Sequence, residues 1–108
     1  MNSSSTLDRS FLALSHPVRR TIIERLAQGP ATVGEATAGI GVSKPAVTKH
    51  LKLLEEAGAI SRTVEGRTHR LRLETAPLEE ASAWVDHWRR LWQRKFAEIE
   101  RYLAGNDD

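Results

Sequence analysis

Apolar residues recur every three to four positions through the first half of the chain. Leu7, Phe11 and Leu14 stand at i, i+4 and i+7, which predicts a short amphipathic helix. In "SHPVRRTIIERLAQGP", Val18, Ile22, Ile23 and Leu26 form the stripe of a second helix. Pro17 suits its first turn because a proline has no N–H to leave orphaned, Ser15 or His16 can cap it, and Gly29-Pro30 ends it. A third segment starts at Thr32, where Glu35 three residues on completes a capping box. Gly39 and Gly41 cost helix stability, so this segment is expected to be short and to end near residue 39. Ser43 then caps a fourth helix with Pro45 in its first turn and Gly58 as its stop.

After Gly58 the period changes from 3.6 to 2. Ile60–Val64 and Thr68–Leu73 alternate around Glu65-Gly66-Arg67, a hairpin signal, with Leu71 and Leu73 directed one way and Arg70 and Arg72 the other. Pro77 opens the last element. From Leu78 to Leu103 the apolar residues fall in one arc, roughly 140° wide at 100° per residue, with Lys95 as the one intruder. At about 1.5 Å per residue this helix runs nearly 40 Å, longer than so small a core requires. The expected organisation is a disordered stretch 1–5, a single domain over 6–104 and a frayed tail 105–108. The fold class is mostly α with a small β-hairpin.

Composition narrows the class. The chain has 108 residues, a net charge of +2 and no cysteine, which excludes a disulfide-stapled scaffold and a thiolate metal site. Its polar, uncharged start shows no signal-peptide pattern and no long apolar run would span a bilayer, so a cytoplasmic protein is expected. Charge is uneven: residues 43–73 carry seven Lys and Arg against three Glu, net +4, whereas residues 78–108 are net −2. A basic middle segment points to a polyanionic partner. There is no G-x-S-x-G, no phosphate-binding glycine loop and no carboxylate cluster, and the histidines are scattered at 16, 50, 69 and 87. No enzymatic activity and no cofactor are expected.

The fourth helix supplies the candidate chemistry. Val47, Leu51 and Leu54 form one side; Lys44, Lys49 and Lys52 lie elsewhere on its circumference. A short helix, a glycine-containing turn and a second helix with a polar outer face make a helix-turn-helix, and the hairpin after it adds a wing. The major groove of B-DNA admits one α-helix, and a helix N-terminus favours phosphate. This reading makes residues 43–57 a recognition helix and residues 60–73 a basic wing on double-stranded DNA. Ser43, Lys44, Pro45, Thr48, Lys49 and Lys52 are its contact residues on the helix, and Arg62, Arg67 and Arg70 those on the wing. His50, beside the apolar face, is expected to be structural or to hydrogen-bond phosphate.

The stretch from Leu12 to Leu73 resembles the winged helix-turn-helix of the ArsR family of bacterial transcriptional regulators. The residues carrying the likeness are His16-Pro17, Arg19-Arg20, Ile23, the run Ser43 to Leu51, Leu54, Ala57-Gly58 and Gly66-Arg67. Within the final helix, 78–103, the stretch from Trp84 to Leu103 resembles the long C-terminal helix of a non-metal-sensing branch, and the missing cysteines and unpaired Asp86-His87 depart from the family's metal sensors. The resemblance implies a homodimer joined through the first and last helices, reading a pseudo-palindromic operator and usually repressing. Leu7, Phe11, Leu14, Trp84, Val85, Trp88, Trp92, Phe96 and Ile99 are then the expected dimer interface. An effector or sensory partner of unknown identity is a further expected partner. The competing reading is a protein-interaction module that docks a partner through the tryptophan ladder.

Overall fold

The computed structural model describes residues 3–105. In chain order it comprises α1 (Ser3–Leu14), α2 (Pro17–Leu26), β1 (Ala31–Thr32), α3 (Val33–Thr37), α4 (Lys44–Glu56), β2 (Ile60–Glu65), β3 (Thr68–Leu73) and α5 (Ala76–Gly105). The strands form one antiparallel sheet in the order β1-β3-β2. The hairpin is as expected, but the sheet has a third strand: Ala31 and Thr32 pair with Leu71 and Arg70 of β3. Helix α1 reaches back to Ser3, into the stretch expected to be disordered, and α5 extends to Gly105. Residues 1–2 and 106–108, which complete the two expected loose ends, lie outside the described residues.

Local chemistry sets the boundaries. His16 is extended and its Nδ1 accepts from the Val18 amide at 3.1 Å, capping α2 ahead of Pro17. Thr32 and Glu35 form the reciprocal capping box of α3, with bonds of 3.1 and 3.0 Å. Ser43 Oγ accepts from the Ala46 amide and starts α4. At the other end of α4, Gly58 has φ +73° and donates to the Glu55 carbonyl while Ala59 donates to that of Leu54. This is a Schellman stop, which needs the left-handed residue that glycine supplies. Gly66, with φ +62°, heads the two-residue reversal of the hairpin. Arg67 behind it stays at negative φ, the pattern of a type II′ turn.

The core lies where α2, α4 and the inner face of the sheet meet. Ile22, Leu54 and Leu71 are fully buried, joined by Leu26, Leu51 and Ile60. Only Pro77 and Ala81 of α5 are buried. Beyond the stretch that packs along α1, that 30-residue helix runs off the domain as an arm, so the molecule extends 74 Å and its radius of gyration is 19.5 Å. A compact chain of this length would have a radius of about 13 Å. Among the described residues, no helix is long and apolar enough to cross a membrane.

Candidate nucleic-acid interface

Burial divides α4 as its sequence predicts. Leu51 and Leu54 are buried and Val47 packs on the core, while Lys44, Pro45, Thr48, Lys49 and Lys52 are exposed. The two ion pairs among the described residues join Arg62 to Glu55 and Arg89 to Asp86, and neither involves a lysine of α4. Ser43 Oγ spends an acceptor on its cap, so its O–H can still donate outward. The Thr48 hydroxyl donates back to the Lys44 carbonyl at 3.0 Å, which leaves it an acceptor for a donor in a groove. An open cleft of about 450 Å³ with an apolar floor of Val33, Val47 and Leu51 separates α3 from α4, and Lys44 stands at its edge.

The wing arginines do not form one group. Side chains alternate across a strand, and the register sets Arg62 opposite Leu71 on the inner face but Arg70 opposite Thr63 on the outer face. Arg62 is half-buried: one nitrogen pairs with Glu55 at the end of α4, and the other lies 3.0 Å from His69 Nδ1. It braces the hairpin against α4. The Glu35 carboxyl is held below its ordinary range first by hydrogen bonds from the backbone and side chain of Thr32 and then by Arg70, which is exposed beside β1. Arg67 is exposed at the turn. Arg62, Arg67, Thr68 and His69 line a notch of about 490 Å³ that also reaches Thr32 and Gly34.

Behind α4 lies a polar cluster that the sequence reading did not assemble. Arg19 is 5% exposed and its guanidinium contacts the Leu12 carbonyl, Ser15 Oγ and His50 Nδ1 at 3.1, 2.8 and 2.9 Å. Burial, and then the neighbouring Arg20, lowers the Arg19 pKa. The rings of His16 and His50 stand 4.3 Å apart, and burial followed by His16, Arg19 and Lys49 lowers that of His50. The signal for Arg19 was present: it stands three and four residues before Ile22 and Ile23 and seven before Leu26, on the buried stripe of α2.

The expected interface residues sort into two sets. Leu7 is half-buried, and Leu14 packs against the protomer's own core. Phe11, Trp84, Val85, Trp88, Trp92, Phe96 and Ile99 are exposed and run along one side of α1 and α5, with Phe11 edge-on to Trp84 at 5.7 Å. Leu12, Tyr102 and Leu103, absent from the expected set, extend the same surface. Among the described residues, no group of three or more His, Cys, Asp or Glu is placed to hold a metal ion.

Comparison with known proteins agrees with this geometry. A family profile described as a helix-turn-helix domain matches residues 14–63. The chain is 36% identical to the HTH-type transcriptional regulator Rv2034 of Mycobacterium tuberculosis over its whole length and 98% of that protein's. It is 32% identical to the transcriptional repressor SdpR of Bacillus subtilis over 79 residues, 73% of this chain and 88% of SdpR. Among solved structures, an ArsR family transcriptional regulator, RHA00566, aligns with a TM-score of 0.80 at 33% identity, covering 85% of this chain and 95% of that one.

Proposed function

Since the chain belongs to the ArsR family of winged helix-turn-helix transcriptional regulators, and is therefore a DNA-binding regulator and not an enzyme, we propose that it acts as a homodimer reading a pseudo-palindromic operator. Each protomer inserts α4 into a major groove, and the two insertions fall about 34 Å apart on one face of the duplex. Lys49 and Lys52 reach bases or flanking phosphates, and Ser43, Lys44 and Thr48 act from the start of the helix. Arg67 and Arg70 carry the wing to the adjacent backbone, and Arg62 joins them once released from Glu55. The exposed side of α1 and α5 closes against its symmetry mate. The regulator represses, as the name of the Bacillus subtilis relative says of that protein, and works without a bound metal.

One observation carries this reading. The lysine-bearing surface of α4 is exposed and, among the described residues, free of ion pairs, while Val47, Leu51 and Leu54 fix the same helix from behind. A purely solvated surface helix would not need a basic hairpin beside it. The test is selection from a random duplex pool, followed by footprinting. A two-fold symmetric footprint with half-sites one helical turn apart is expected. If the dimer neutralises six to eight phosphates, log K should fall with log salt at a slope of roughly −5 to −7. Recovery of no sequence, with a monomer that pairs only with another protein, would favour the interaction-module reading.

A further inference from the structure

Arg19 joins three parts of the chain through one buried side chain. Its Nε donates to the Leu12 carbonyl of α1, one terminal nitrogen to Ser15 Oγ in the following turn, and the other meets His50 Nδ1 of α4. Ser15 in turn donates to the same Leu12 carbonyl at 2.8 Å. A guanidinium has donors only and keeps its proton. The contact at 2.9 Å therefore has one chemical reading: Nδ1 of His50 is unprotonated and accepts, and the ring is neutral with its proton on Nε2. Leu12 belongs to the helix that packs along α5, and His50 to the helix that carries the lysines.

We propose that Arg19 is a positioning residue for DNA reading: through His50 it holds the recognition helix in register with α1 and α5, and protonation of His50 releases that hold. The proposal rests on α4 being the helix that reads DNA. A protonated His50 presents an N–H to an N–H, so Arg19 loses its acceptor in a place with little water to replace it. The charged groups facing His50 from α2 and α4 oppose that proton. Helix α2 supplies Arg19, with Arg20 beside it, and its cap supplies the His16 ring; α4 supplies Lys49; α1 offers the neutral Leu12 carbonyl. Desolvation of the ring and these cations act in the same direction, and no carboxylate is among the groups that shift it. The neutral, bonded form is thus the resting state near neutral pH, and acidification is what breaks it.

Two measurements test this on the full chain. Nitrogen NMR of the histidine rings should show His50 Nδ1 unprotonated at about pH 7.5 and titrating below the ordinary histidine value of 6.5. In Arg19→Gln its titration should move up. A Nδ1-protonated tautomer, or a midpoint indifferent to Arg19, overturns the proposal. The second arm uses a duplex selected by the wild-type protein at about pH 7.5, and reads the ratio of its affinity to that of a scrambled duplex at fixed salt. Between about pH 7.5 and 5.5 the wild-type ratio should fall about fivefold or more. His50→Asn keeps an acceptor for Arg19 but cannot titrate, so its ratio, whatever its value at neutral pH, should stay flat with pH. An equal fall in His50→Asn, or none in wild type, refutes the coupling. Should Arg19→Gln fail to fold, Arg19→Lys replaces it: it keeps a charge without the fork and should lower the ratio at neutral pH, and an unchanged ratio refutes the positioning role. If wild type selects no duplex at all, it is the DNA reading that fails, while the tautomer measurement still scores the Arg19–His50 bond.

Discussion

Replacing Trp92 by alanine probes the arm where the protomer gives it no support. Trp92 is 58% exposed on α5, with Phe96 beside it at 5.8 Å between ring centroids. Ten large apolar residues of α1 and α5 lie open in this way. With about 150–250 Å² per full aromatic and somewhat less per aliphatic side chain, they leave roughly 1,000 Å² uncovered. Monomers rarely expose more than about 300–600 Å² in one apolar patch, whereas an ordinary interface takes about 800 Å² from each partner. For Trp92 alone, 58% of about 250 Å² is near 145 Å², worth about 3.5 kcal/mol at ~25 cal/mol per Å². Symmetry counts it twice. Ordering costs remove about half of the total, leaving about 3.5 kcal/mol, or at least a hundredfold weaker dimerisation. Sedimentation velocity over a dilution series reads this directly, and circular dichroism should show the protomer still folded. A wild-type chain that stays monomeric, or a Trp92→Ala chain whose dimer is as tight as wild type, would refute the reasoning.

Three further outcomes are expected. Glu55→Gln should change stability by no more than about 1 kcal/mol, because the pair with Arg62 is only partly shielded, yet steepen the salt dependence of DNA binding by about two phosphate contacts per dimer as Arg62 is released. An unchanged slope would mean that Arg62 stays a brace in the complex. Leu54→Ala removes a fully buried side chain from the core and should cost about 3–4 kcal/mol in urea unfolding, with affinity per folded molecule retained. For pH, the pKa of His50 is lowered in the folded state by burial and nearby cations. The unfolded chain then binds the proton more readily, so this contribution is fully present above the ordinary value of 6.5 and is lost as pH falls below it through the folded value. Stability should decline on acidification in wild type more than in His50→Asn, and equal slopes would remove His50 as the cause.

Much of this architecture could be read from short-range chemistry. The Thr32–Glu35 box, the Ser43 cap, Pro17 and Pro45 in first turns, and Gly58 and Gly66 at reversals each act within a few residues. What escaped depends on distant partners. A two-residue strand has no alternation to detect, and Ala31–Thr32 is a strand only because β3 lies beside it. Arg62 was grouped with Arg67 and Arg70 by charge, but strand parity and the arrival of Glu55 from α4 put it on the other face. Arg19 was legible in position but not in role, since its stripe predicts burial and nothing local predicts Leu12 and His50 as its partners. Tyr102 and Leu103, at the end of the apolar arc of α5, and Leu12 of α1 are exposed alongside the residues expected at the interface.

The most direct test of α4 as the reading helix is the affinity and salt slope of Lys49→Ala combined with Lys52→Ala, measured on a duplex selected by the wild-type protein. Both side chains are exposed, so melting and dimerisation should match wild type. Affinity should fall at least a hundredfold, and with four phosphate-neutralising charges removed per dimer the log–log slope should become shallower by about 3.6. Wild-type affinity with a wild-type slope would contradict the account, because the duplex would then be held somewhere other than α4.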